Sequence, residues 1–169
     1  STVRDAVGAT SKINYNGYTC FRGMVEDVQL KDEQVANEYW GAKGKVGIVP
    51  LINNRAYWFI TIHAKEKEPK YQTFGKPHLQ AYFNHFPDEV REVLDKQSET
   101  GILLHDIYDL KPLRTFVYGR TILLVDAAHV TTPDMGQGAS QAMEDALVLV
   151  NCIKNYDFNK AIERYDKLR

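Results

Sequence analysis

GRTILLVDAAHVTTPDMGQGASQAMEDALVLV, residues 119–150, reads in order as an apolar strand, a polar turn, a glycine-flanked loop and a long helix. Residues 121–125 are β-branched or aliphatic, the pattern of a strand covered on both faces. The run ends on Asp126, which puts a carboxylate at the strand's carboxyl end, where open α/β sheets bind ligands. Gly136, Gln137 and Gly138 then open a helix whose apolar positions Ala139, Ala142, Met143, Ala146, Leu147 and Val150 recur at helical spacing. The helix start offers free N–H groups and the positive end of a dipole to whatever Asp126 faces. Such a pair suits a ligand with hydroxyls for the carboxylate and anionic oxygens for the helix, and a flavin dinucleotide has both.

At these residues the chain resembles the single-component FAD-dependent aromatic hydroxylases. Their second flavin motif runs G-R-x-x-L-x-G-D-A-A-H-x-x-x-P-x-x-G-Q-G and continues into a helix carrying E-D-A. Gly119, Arg120, Leu123, Asp126, Ala127, Ala128, His129, Pro133, Gly136, Gln137, Gly138, Glu144, Asp145 and Ala146 all match. Val125 departs, standing where the family has a glycine that lets backbone pass close to the cofactor. TTPDMGQG, with His105-Asp106-Ile107 upstream, is most similar to the urate-hydroxylase-like branch. The resemblance covers nearly the whole chain, loosely at residues 31–40 and 65–76. It implies a mixed α/β fold: a β-sheet substrate region with packed helices over residues 1–110, and the C-terminal strand-helix part of a FAD-binding domain over residues 111–169.

The G-x-G-x-x-G unit that holds the ADP half of FAD in this family is not found in these 169 residues. Ser1, Val3 and Arg4 match the residues directly after the family's central D-G motif. The expectation is therefore the middle and later part of a larger flavoprotein, with a truncated remnant, an interaction module or half of a split enzyme as alternatives.

Composition fits a globular domain: 44% hydrophobic and 25% charged residues, formal net charge −1. Without a basic stripe, nucleic acid and anionic membrane are poor partners. No apolar run approaches the roughly 18 residues of a membrane-spanning helix. Cys20 and Cys152 lie in no metal or redox spacing, so buried free thiols in a reducing cytoplasm are expected, and no metal site.

Residues 12–64 carry mostly strand signals. Asn16-Gly17 predicts a hairpin between residues 13–15 and 18–25, and Asn53-Asn54 a second one between residues 46–52 and 55–64. Residues 31–40 are expected to form a short helix, and residues 65–69, KEKEP, a solvated loop. Leu79, Tyr82, Phe83 and Phe86 make one helical stripe; Val90, Val93 and Leu94 make another. Residues 102–107 return as a strand. Asp157 is placed to cap a last helix, with Phe158, Ala161, Ile162, Tyr165 and Leu168 on one face.

The resemblance also implies site roles. Asp126 accepts from a ribitol hydroxyl; the amides of Gly136, Gln137, Gly138 and Ala139 meet the pyrimidine end of the flavin; Pro133 stands beside its reactive edge. His129 is expected to shape the turn, and Glu144 and Asp145 to complement the helix dipole. On the substrate side, Lys45 and Tyr57 match an arginine and a tyrosine that line the pocket, against the plainer reading of a surface lysine and a core tyrosine. Lysine keeps the charge but lacks the planar fork. Arg22, Trp58 and His63 are further candidates. The implied reaction is hydroxylation of an aromatic or purine-like ring by FAD with NAD(P)H and O₂. The expected oligomeric behaviour is self-association through faces left uncovered.

Overall fold

The computed structural model describes all residues, 1–169. In chain order it contains α1 (Thr2–Ala6), β1 (Ile13–Val25), β2 (Asn37–Gly41), β3 (Gly44–Leu51), β4 (Arg55–His63), α2 (Pro69–Gln72), α3 (Lys76–Tyr82), α4 (Asp88–Lys96), β5 (Leu103–Leu110), β6 (Val117–Tyr118), β7 (Thr121–Ile122), α5 (Gly138–Asn155) and α6 (Phe158–Leu168), with single 3-10 turns at Val125–Ala127 and Pro133–Met135. The mixed α/β class expected from sequence is the class observed. The chain divides into two compact units. One is residues 17–107; the other joins residues 1–16 to residues 108–169. The first sixteen residues thus pack with the C-terminal portion, although a division at 110/111 assigns them to the sheet region.

In the unit of residues 17–107, the sheet runs β2-β3-β4-β1-β5. β2, β3, β4 and β1 are successively antiparallel. Strict alternation sorts its side chains. Val46, Ile48, Ala56, Trp58, Ile60 and Ile62 all turn to one face and are buried. Tyr71, Leu79, Phe83, Phe86, Val90, Val93 and Leu94 of the helical segment complete that core. Each large apolar side chain fully buried there contributes roughly 2 kcal/mol. The indole N–H of Trp58 donates to Gln97 Oε1 at 2.8 Å, so the one polar atom of that ring is satisfied inside the core. Trp58 is structural and not a pocket residue.

The Asn53-Asn54 hairpin forms as expected, with φ of 61° and 53° at the two residues, the left-handed pair of a tight turn. Two other expectations are corrected. Residues 13–25 form one continuous strand, not a hairpin. Gly17 has a φ of 80°, but residues 18–25 pair with β4, and Asn14 donates to Asp109 Oδ1 at 3.1 Å. Partners on either side of Gly17 keep the strand extended. Residues 31–40 form no helix: 37–41 become β2, paired with β3. Tyr39 and Trp40 are strand formers, and an open edge of β3 outweighs weak local helix preference.

In the other unit, Ala9, Phe116, Leu123, Ala128, Cys152, Ala161 and Tyr165 form the core. Asp157 caps α6 as expected, its Oδ1 accepting from the Lys160 N–H at 3.1 Å. Asp166 closes the connection before β6, accepting from Thr115 Oγ1 at 2.7 Å and the Phe116 N–H at 2.6 Å. The strand expected at residues 121–125 is confined to 121–122, paired with β6 across Gly119, whose φ is 60°. A strand covered on both faces needs neighbours on both sides, and β6 is its sheet partner. Cys20 and Cys152 are both buried and neither forms a disulfide.

On α5, Asp145 and Cys152 are the buried residues, while Met143, Leu147 and Val150 are exposed, an apolar face left uncovered as expected. The helix is apolar on more than one side, and its neighbours in this chain cover the Asp145–Cys152 side.

Candidate functional site

Asp126 sits in the 3-10 turn at Val125–Ala127 with an exposed carboxylate. Val125, immediately before it, has a φ of 56°. That left-handed conformation costs an L-residue about 1–2 kcal/mol and is especially unusual for a β-branched one. The family glycine at this position is therefore explained by backbone conformation, and the valine occupies it under strain.

The turn is gripped from two directions. The Val125 N–H donates to Asp145 Oδ2 at 2.8 Å. The same oxygen lies within hydrogen-bond distance of His129 Nε2, at 2.7 Å. Asp145 Oδ1 accepts from Arg169 Nε at 2.7 Å. Asp145 is wholly buried, and Arg169 balances its charge while also pairing with Glu144 at 2.6 Å and Gln141 Oε1 at 2.6 Å. Burial works against the charge on Arg169, but bonds to Glu144 and Asp145 outweigh it and raise its pKa. From the other side, the buried Arg4 guanidinium donates to the Asp126 carbonyl through Nη2 and to the Ala127 carbonyl through Nε, both at 2.7 Å.

His129 shapes the turn, as expected. Asp145 does more than complement a dipole: it is the buried acceptor on which the turn hangs. Arg4 matched the sequence motif, but nothing local in its sequence revealed a bond to residues more than a hundred positions away.

Downstream, Pro133 opens the 3-10 turn at Pro133–Met135, and its carbonyl accepts from the Gly136 N–H at 3.0 Å. Gly136 has a φ of 62°, which only glycine adopts without strain. Gln137 is the N-cap of α5 and makes no side-chain capping bond. The first N–H groups of α5, at Gly138 and Ala139, lack intrahelical acceptors, and Pro133, Gly136, Gln137, Gly138 and Ala139 are all exposed. The exposed carboxylate, the glycine turn and the uncapped helix start are thus supplied by fourteen consecutive residues, 126–139.

The second constellation lies on the sheet face opposite the core of residues 17–107. Lys45 pairs with Thr61 and Tyr57 with Val49, so both side chains project to that face. They are four positions apart in register, roughly 13 Å along the strands, so they do not form a single contact pair. Phe59 bridges the gap. Its ring lies over Gly47, its centroid is 6.1 Å from Tyr57, and Lys45 Nζ is 5.6 Å from it. Lys45 Nζ is also 5.4 Å from the Trp40 ring and 3.4 Å from Glu38 Oε1. At the far end, Tyr57 meets Arg22. Burial raises the Tyr57 pKa and Cys20 adds to this, while the guanidinium of Arg22, hydrogen-bonded to the phenol, pulls it back. Phe59 and Trp40 were not singled out in the sequence, although Phe59 alternates with Tyr57 in the period of a strand. His63 is exposed at the end of β4.

No group of three or more His, Cys, Asp or Glu side chains could hold a metal ion. No helix is long and apolar enough to cross a membrane.

A mixed α/β fold with an exposed Asp126 carboxylate and an uncapped start of α5 is the fold of a FAD-binding domain. The chain belongs to the FAD binding domain family, whose model matches residues 1–156. It is 33% identical over 170 residues to the aurachin C monooxygenase/isomerase of Stigmatella aurantiaca, covering all of this chain and 44% of that protein. It is 31% identical to a FAD-dependent urate hydroxylase of Mycolicibacterium vanbaalenii, covering 96% of this chain and 42% of that protein. The crystal structure of Klebsiella pneumoniae HpxO complexed with FAD and uric acid matches with a TM-score of 0.80 at 29% identity, covering 96% of this chain and 42% of that one. The chain therefore spans less than half the length of these relatives.

Proposed function

We propose that this chain forms part of a FAD-dependent monooxygenase that hydroxylates an aromatic or heteroaromatic, purine-like small molecule with NAD(P)H and O₂. The observation that carries this reading is the exposed Asp126 carboxylate, on a turn tied through Asp145 to α5, together with the uncapped start of that helix. In the proposed roles, Asp126 accepts from a ribitol hydroxyl. The amides at Gly136, Gln137, Gly138 and Ala139 stabilise negative charge on the pyrimidine end. Pro133 holds its loop rigid beside the ring edge. Bound flavin supplies the redox and oxygen-activating chemistry. Residues 17–107 are the substrate region in this reading: Lys45 attracts an anionic or carbonyl-bearing ring, Phe59 offers it a flat face, and Tyr57, protonated at neutral pH, donates to it.

The test is FAD titration into the chain, monitored by flavin fluorescence. Binding is expected to be weak, because no glycine-rich turn for the pyrophosphate occurs in these residues. Asp126→Ala should loosen it by about tenfold while leaving the flavin-free melting temperature nearly unchanged. Equal affinity for both proteins would sink the assignment.

A second reading, in which the site is completed by another chain or a second copy, is favoured by the apolar side chains that α5 leaves in water. Self-association is the proposed behaviour of this chain alone.

A further inference from the structure

We propose that Asp145 and Arg4 are positioning residues that hold the Val125–Ala127 turn with Val125 in the left-handed region, and that this grip lets valine occupy a glycine position without losing the presentation of Asp126. The inference rests on the flavin reading for its consequence, but not for its geometry. Valine resists a positive φ because its Cβ crowds the backbone, so an ungripped Val125 relaxes to negative φ. Relaxation redirects the peptide on which Asp126 stands.

Two buried charges oppose it. Asp145, on the second turn of α5, takes the Val125 N–H at 2.8 Å and His129 Nε2 at 2.7 Å on one oxygen. Its other oxygen is engaged by Arg169 at 2.7 Å, which fixes the carboxylate's orientation. Arg4 takes the carbonyls of Asp126 and Ala127 with two nitrogens of one planar group, so neither peptide can rotate without breaking a charge-assisted bond. The N–H of the strained residue and the carbonyls of the two residues after it are therefore all committed. The Asp126 carboxylate itself takes no part in the grip and stays exposed.

A merely structural role for these residues predicts loss of stability and nothing more. A positioning role predicts a defect that glycine at 125 repairs, because glycine adopts the left-handed turn without being held. Backbone torsions of residues 124–127, obtained from NMR chemical shifts and couplings, read this directly and need no flavin. Positive φ at residue 125 is expected in the unsubstituted chain, loss of it in Asp145→Asn and in Arg4→Met, and its return when Val125→Gly is added to either. Retention of positive φ at Val125 in both single variants overturns the proposal. Where a single variant fails to fold, its Val125→Gly double variant is compared with Val125→Gly alone. The same turn in both supports the proposal, and a different turn overturns it.

Flavin titration of the same proteins is the second arm. Asp145→Asn should weaken FAD binding by about tenfold, with Val125→Gly restoring most of the loss. Stability should not be restored alongside, since the buried charge cluster remains broken. If Asp126→Asn has no effect on FAD binding, the flavin reading fails and the torsions alone decide the inference. If Asp126→Asn weakens binding while Asp145→Asn and Arg4→Met do not, the flavin reading stands and the positioning role falls.

Discussion

At the scale of the residue, Val125 is where local preference and tertiary structure disagree most. The residue sits at the end of an apolar run and extends what reads as a strand, yet its φ of 56° belongs to a turn. Strand propensity lost because the N–H of Val125 and the next two carbonyls have buried charged partners. Val125→Gly removes the steric cost of about 1–2 kcal/mol and returns part of it through the greater freedom of an unfolded glycine. The expected net is a stabilisation of about 1 kcal/mol, read as a higher urea midpoint with unchanged slope. A lower midpoint would show that the valine side chain contributes packing that outweighs the strain. Position 125 was legible as an exception to a motif, but the reason for the exception was not, since it depends on Asp145 and Arg4 meeting the turn from distant parts of the chain.

At the scale of the element, the β3–β4 hairpin carries the proposed substrate face. Gly47 lies beneath the Phe59 ring, and a methyl group there would overlap it. Gly47→Ala should therefore displace Phe59, whereas Lys45→Met removes charge and leaves the ring in place. Both should weaken binding of a planar anionic ring such as urate by about tenfold, monitored as a change in the emission of Trp40, which stacks near Lys45 and is exposed. Unchanged binding in Lys45→Met would return Lys45 to an ordinary surface role. The hairpin could be read from sequence because two asparagines mark its turn and the strands alternate strictly. Asp157 could be read because a cap is a local bond. The Asn16-Gly17 turn and the helix at residues 31–40 misled for one reason: each short signal was overridden by a neighbouring strand that sequence does not place. For α5 the helical spacing and an uncovered apolar face could be read, but not the burial of Asp145 and Cys152, because an apolar helix does not declare which side its neighbours will take.

At the scale of the whole molecule, the tyrosines set the response to alkaline pH. Tyr39, Tyr71 and Tyr165 each have a pKa raised from 10.0 to about 12, first by burial, with Glu89, Tyr82 and Asp145 respectively adding to it. The unfolded chain ionises near pH 10 while the folded one stays protonated, so the stability from these groups is intact below pH 10 and falls as pH rises toward 12. Urea midpoints should be level from pH 7 to about 9 and decline above it, with a shallower decline in Tyr165→Phe. A second bulk property is association. Met143, Leu147, Val150 and Ile153 succeed one another at helical spacing along α5 and are 67%, 71%, 48% and 51% exposed. Side chains of this size in water at four successive positions form a contiguous apolar stripe, which a second copy can cover by laying the same helix against it. Light scattering should find dimers or larger species, dissociating on dilution. Leu147→Glu places a charge in the middle of the stripe and should shift the population to monomer. It should leave the monomer's own stability nearly untouched, since the leucine it replaces is already in water. A monodisperse monomer at high concentration, unaffected by Leu147→Glu, would show that the exposed face of α5 has no affinity for itself.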